Sequence, residues 1–126
     1  MKKNAWNRKI KECCEEVGTY RESFDSVIET LAQIMEMRDD AIKKYEESGG
    51  EPTVVKSYRG EANVYKNPAI EVINGLNSQA LAYWRDLGLT PAGLKKINEA
   101  SLSKKEEASE LEKAMMKLEK QLGDRS

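Results

Sequence analysis

Apolar residues recur at helical spacing along most of the chain. Trp6, Ile10, Cys13, Cys14 and Val17 mark one face and predict an amphipathic helix from about 4 to 17. Gly18 follows the last of them, where a left-handed residue ends a helix well. A second stripe, from Phe24 and Val27 through Leu31 and Met35 to Ile42 and Tyr45, predicts a helix over about 24 to 47, closed by Ser48-Gly49-Gly50. Two capping boxes, Thr19 to Glu22 and Ser26 to Glu29, compete for its start. At 1.5 Å per residue it would be about 36 Å long, well beyond the usual helix. Arg38 interrupts its apolar stripe between Met35 and Ile42. Its stem can lie along the face while its head reaches an acid of another helix or chain, as Asp39 and Asp40 point elsewhere, but a solvated edge position is the preferred reading.

The helical period breaks over 51–66. Pro52 forbids a helix interior, and Val54–Tyr58 and Ala62–Tyr65 are β-prone runs either side of Arg59-Gly60-Glu61. A short exposed β-hairpin with Gly60 in the turn fits this pattern. Lys56, Arg59 and Lys66 would project from it with Tyr58 and Tyr65 between them, a mixture that suits a phosphate backbone or a neighbouring subunit.

Asn67-Pro68 then supplies an N-cap and a proline at N1 for a third helix, which Gly88 ends. Thr90-Pro91 repeats that start for a short fourth helix carrying Leu94 and Ile97. The corner at Gly88-Leu89-Thr90 fits plain packing, or a DNA-reading helix-turn-helix with Lys95 and Lys96 on the second helix. Ser103-Lys104-Lys105-Glu106 is a further capping box and predicts a separate last helix. On it Ala108, Leu111, Met115, Leu118 and Leu122 repeat as 3-4-3-4, the pattern of a coiled-coil seam two heptads long. Leu111, Met115, Leu118 and Leu122 are the candidate oligomerisation residues. The last four residues, 123–126, are expected to fray.

These elements predict a mainly α fold: an elongated helical subunit with a long helical hairpin, a short β-hairpin or extended segment, and a C-terminal helix. The length of 126 residues allows one unit with a tail. Residues 1–100 are expected to form the helical core with its helix-turn-helix-like corner, and 101–126 an oligomerisation or partner-binding helix. With 34% charged and 6% aromatic residues, an elongated chain of this size buries a modest core and would rely on subunit contacts.

The net charge of −1 conceals a polarised layout. Residues 1–11 hold Lys2, Lys3, Arg8, Lys9 and Lys11 and no acid, whereas 12–51 hold four basic against twelve acidic residues. Clustered cations of this kind suit anion contact or head-to-tail subunit contact. The candidate phosphate contacts are those five together with Lys56, Arg59 and Lys66.

Candidate chemistry is sparse. The chain has no histidine, the commonest general acid and base, and shows no phosphate-binding glycine loop and no cysteine–histidine metal spacing. Cys13 and Cys14 are neighbours, too constrained for an unstrained disulfide, and read as small apolar side chains. The pairs Asp39-Asp40 and Glu46-Glu47 sit on a helix where consecutive residues diverge by about 100°, and read as solvated face. An enzyme is not expected, nor a cofactor, nor a small-molecule substrate. No apolar run is long enough for a membrane span, and the basic start lacks the apolar stretch of a secretory leader.

The stretch from Asn67-Pro68-Ala69-Ile70-Glu71-Val72-Ile73-Asn74 to Leu81-Ala82-Tyr83-Trp84-Arg85-Asp86-Leu87-Gly88-Leu89-Thr90-Pro91-Ala92 resembles the small terminase subunits of tailed bacteriophages. The long helix closing in Glu47-Ser48-Gly49-Gly50 and the extended segment after it are similar to that family as well, so the resemblance covers about 20–100. It implies a non-catalytic protein of the bacterial host cytoplasm that assembles into a ring. It implies recognition of double-stranded viral DNA and delivery of that DNA to the large terminase subunit, which holds the ATPase and nuclease. Family members often carry a separate N-terminal helix-turn-helix, and residues 1–18 here provide at most one helix before the long one. Two other readings fit the residues: a helical scaffold or adaptor without DNA binding, favoured by the acidic pI, and a dimeric helix-turn-helix regulator using Lys95 and Lys96.

Overall fold

A computed structural model describes residues 1–124. Four helices and one β-hairpin follow in the order α1 (Lys3–Val17), α2 (Asp25–Glu47), β1 (Thr53–Tyr58), β2 (Glu61–Lys66), α3 (Pro68–Asp86) and α4 (Pro91–Asp124). The fold is mainly α with a two-stranded antiparallel sheet, as the periodicity predicts.

Helix α2 is the spine. Ile28, Leu31, Ala32, Ile34 and Met35 are buried along it, and α1 and α3 pack against it through Ile10 and Cys14 on one side and Leu76, Ala80 and Leu87 on the other. Trp6 meets Trp84 edge-on at 6.4 Å, so α1 also reaches α3. Core of this size leaves many apolar side chains outside. Val72 and Leu81, both on the apolar pattern of α3, are 54% and 48% exposed.

Helix ends follow the glycines. At the end of α1, Gly18 takes φ +78° while its N–H and that of Thr19 return to the carbonyls of Glu15 and Cys14. The same closure ends α2 at Gly49 and α3 at Gly88, where Leu89 N–H reaches Trp84 O at 2.8 Å. Gly88 also carries a packing demand, since a β-carbon there would sit 2.8 Å from Ile97 Cδ1 and 3.0 Å from Thr19 Cγ2. The α3–α4 corner is thus a close approach of three segments, tied by Thr19 Oγ1 donating to Leu87 O at 2.7 Å.

Several expectations need correction. Neither capping box starts α2. Thr19 spends its hydroxyl on Leu87, and a 3₁₀ turn over Glu22–Phe24 leads straight into Asp25. The short fourth helix and the separate last helix are one 34-residue helix, α4, with Ser103 in its interior. Good helix formers flank Ser103, and no proline or glycine lies between Gly93 and Gly123 to stop the helix. Residues 100 and 101, on either side of the expected division, both lie inside this helix. Leu94 and Ile97 are half-buried, and every residue from Asn98 to Gly123 is exposed. Of the residues expected to fray, Gly123 and Asp124 belong to α4, and Arg125 and Ser126 lie outside the described residues.

Candidate nucleic-acid interface

The eight candidate phosphate contacts fall into three groups. On α1 the helix lies across the acids of α2, and this divides its cations. Lys3 turns inward: its Nζ pairs with Glu29 at 2.9 Å, and its backbone N–H donates to Glu36. Lys2, Arg8 and Lys9 are exposed, and none of the three forms an ion pair among the described residues. Lys9 rests over Trp6 with its Nζ 5.2 Å from the ring centroid. Lys11 lies over Tyr20 at 5.0 Å, and the neighbouring Tyr20 phenol raises its pKa, so it stays charged. The Tyr20 hydroxyl donates to Asp25 at 2.8 Å, which raises the phenol's own pKa.

The hairpin forms the second group. Its register pairs Val54 with Tyr65, Lys56 with Asn63 and Tyr58 with Glu61, so these six side chains share one face. Lys56 Nζ stands 5.8 Å from the Tyr65 ring centre, and Arg59, in the turn at φ +52°, places its guanidinium carbon 5.3 Å from that of Tyr58. The two cations and two aromatics are thereby brought together. Lys66 is not with them. It pairs with Thr53 on the opposite face, beside Val55 and Val64, because side chains alternate along a strand. It stands alone as the third group.

The groups lie apart. Trp6 and Met1 of α1 meet α2 at Asp39, and the hairpin begins only beyond Glu47, about 12 Å further along at 1.5 Å per residue. Asn67 bolts its base: the Asn67 N–H donates to Pro52 O and its Nδ2 to Glu51 O, while Oδ1 caps α3 through Ala69 N–H at 3.1 Å. The hairpin is thus held at the end of α2 farthest from the α3–α4 corner. A two-stranded hairpin exposed on both faces has little to stabilise it alone.

Two residues of this region differ from what the sequence predicts. Asp39, taken as solvated, is half-buried, and it accepts from Trp6 Nε1 at 2.7 Å and from the Met1 ammonium at 2.8 Å. Burial pushes its carboxyl pKa up, but these two hydrogen bonds outweigh it and hold the carboxyl below its ordinary value. Arg38, read as a solvated edge, lies 3.6 Å from the Asp39 carboxylate with its Nε buried and without a hydrogen-bond partner among the described residues. The signal that was available is the indole N–H of Trp6. A half-buried tryptophan needs an acceptor, and α2 offers a row of acids.

The whole order of elements, from α1 to the first turns of α4, matches the family model described as phage terminase, small subunit, over residues 3–107. The chain belongs to the phage terminase small subunits. No curated protein and no solved structure matches it. The terminase match spans α1, the α2–α3 pair, the hairpin and the corner, and it stops before Ala108, the first position of the leucine seam.

That seam is wholly exposed. Leu111, Met115, Leu118 and Leu122 are each 57–63% exposed on the part of α4 that projects beyond the core. Among the described residues no group of three or more histidine, cysteine, aspartate or glutamate side chains could hold a metal ion. No helix among them is long and apolar enough to cross a membrane. Cys14 is buried in the core between α1 and α2, and burial raises its thiol pKa.

Proposed function

We propose that this terminase small subunit works without catalysis of its own in the host cytoplasm. It assembles into a ring, recognises double-stranded viral DNA and hands that DNA to the large terminase subunit. The observation that carries the reading is the family match over 3–107 together with exposed cations not spent on internal acids: Lys2, Arg8 and Lys9 on α1, and Lys56 and Arg59 on the hairpin. Lys3, Lys11 and Lys66 complete the proposed phosphate contacts from less favourable positions. An acidic protomer holds few such cations, so affinity would come from repetition, one weak set per subunit. The seam of Leu111, Met115, Leu118 and Leu122, within 101–126, supplies the proposed oligomerisation element.

The test is a titration of the purified protein against phage DNA at two salt concentrations, alongside light scattering. Binding that weakens steeply with salt, by a particle larger than a dimer, is the expected result. A monomer indifferent to DNA at low salt would end this reading.

A further inference from the structure

From the hairpin tip we infer that this chain reads base pairs: Arg59 takes a guanine, and Glu61 the amino group of a cytosine, on the floor of the major groove. This rests on the duplex-DNA reading above and deepens it, from contact with the backbone to recognition of bases.

The tip is built on a residue that does not suit it. Arg59 and Gly60 are the two residues between Tyr58 and Glu61, with φ +52° and +80°, the backbone of a type I′ turn. Glycine, asparagine or aspartate takes the first of these positions at least cost, and arginine takes it under strain. Arg59 is the one non-glycine residue with positive φ among the described residues. Strain kept at a single exposed position points to a use for the side chain. Its guanidinium rests over the Tyr58 ring, 5.3 Å from the centre. Neither it nor Glu61 makes an ion pair among the described residues.

Depth decides what each side chain reaches. The major groove is about 12 Å wide and about 8.5 Å deep, and it admits a two-stranded ribbon whose strands lie about 4.8 Å apart. Six residues in each strand make this ribbon about 20 Å long, enough to enter tip first and touch the floor. Arg59 then leads onto the base edges. Lys56 follows three residues behind, about 10 Å, which brings it level with the phosphates at the rim. Lys66, level with Thr53 and about 17 Å behind Tyr58, is left at the outer end.

Glu61 selects the target. Beside phosphates its carboxylate would be repelled, whereas on the floor it accepts from a cytosine amino group. The guanidinium fork offers two hydrogen bonds to guanine O6 and N7, and guanine is the partner of that cytosine. One fork and one carboxylate at the same tip therefore fit a G·C pair, while the arginine charge still neutralises the backbone alongside.

The test is fluorescence anisotropy of the full chain with three short duplexes. One is rich in G·C, the second replaces its guanines by 7-deazaguanine, which lacks the N7 acceptor, and the third is rich in A·T. Wild type should bind the first about fivefold or more tightly than the second. Lys56→Ala and Arg59→Gly each remove one charge and should lower the salt slope alike, by about 0.9. Arg59→Gly also suits the turn, so the hairpin stays folded, and it alone should abolish the preference for guanine over 7-deazaguanine. Glu61→Ala should tighten binding to the A·T duplex and leave the G·C duplex no tighter. If wild type binds guanine and 7-deazaguanine duplexes equally, if Arg59→Gly keeps the preference, or if Glu61→Ala tightens both duplexes alike, the tip does not read bases although the DNA reading stands. If wild type binds no duplex at low salt, the DNA reading falls and this inference with it.

Discussion

The indole N–H of Trp6 donates to the carboxylate of Asp39 at 2.7 Å, joining α1 to the middle of α2. This bond lies between the most basic segment of the chain and the most acidic one. It fixes which side of α1 faces inward, and so which of its cations remain for a partner.

Replacing Asp39 by alanine should therefore loosen α1. A hydrogen bond to a charged acceptor contributes about 1.5–3 kcal/mol, and solvent screening at this partly exposed site brings it below that range, to about 1 kcal/mol. Urea unfolding of the variant measures it. The same carboxyl gives a pH signature. Its folded pKa is held below the unfolded value, so its contribution is fully present above about pH 4 and is lost as pH falls through the lower folded value. The stability gap between wild type and D39A should shrink with acidification below about pH 4, and a gap that stays constant down to pH 2 would contradict the assignment.

Gly88 and Gly50 separate two costs of adding a β-carbon. Both have positive φ, +74° and +65°, but nothing lies within 4 Å of a β-carbon at Gly50, whereas Ile97 and Thr19 crowd one at Gly88. Gly50→Ala should cost about 1 kcal/mol, the backbone penalty alone. Gly88→Ala should cost about 2–4 kcal/mol, since overpacking adds to it. Thermal melts of the two variants side by side decide the matter, and equal shifts would mean that the α3–α4 corner is not the tight junction described.

Much of this was legible in the sequence because it depends on local chemistry. The Asn67-Pro68 start, the hairpin turn at Arg59-Gly60 and three of the four helix ends follow from cap and turn residues that act within a few positions. What failed depended on partners distant in the chain. Ser103 has the right neighbours for a cap, yet a continuing helix costs it nothing on an exposed rod. Thr19 looked like a cap until Leu87, 68 residues on, claimed its hydroxyl. Composition alone groups Lys66 with Lys56, and only the strand register sets them on opposite faces.

That register gives a prediction for DNA. Lys56→Ala with Arg59→Ala removes both cations from one face and should lower the salt slope of binding by up to about 2 per hairpin, near 0.9 for each lost phosphate contact. Lys66→Ala, on the other face and in a less favourable position, should lower the slope by less than either of the other two replacements. Fluorescence anisotropy with a duplex probe between 50 and about 200 mM salt would show it. An equal effect of Lys66→Ala and of either partner would mean that DNA lies along the edge of the hairpin, not on its aromatic face.

Finally, the exposed half of α4 should be separable from the stability of the core. Leu111→Ser and Leu118→Ser remove large apolar groups that touch no core residue, being 63% and 58% exposed. The stability of the protomer should change by no more than about 0.5 kcal/mol. Assembly is another matter, because each leucine covered by a neighbouring copy contributes roughly 1.5–3 kcal/mol of burial. The double variant should therefore scatter as a monomer at concentrations where wild type is assembled, with an unfolding curve that no longer depends on protein concentration. Retention of the full assembled mass would move the subunit contact off the seam and onto the α2–α3 layer, where Met37 and Val72 lie open.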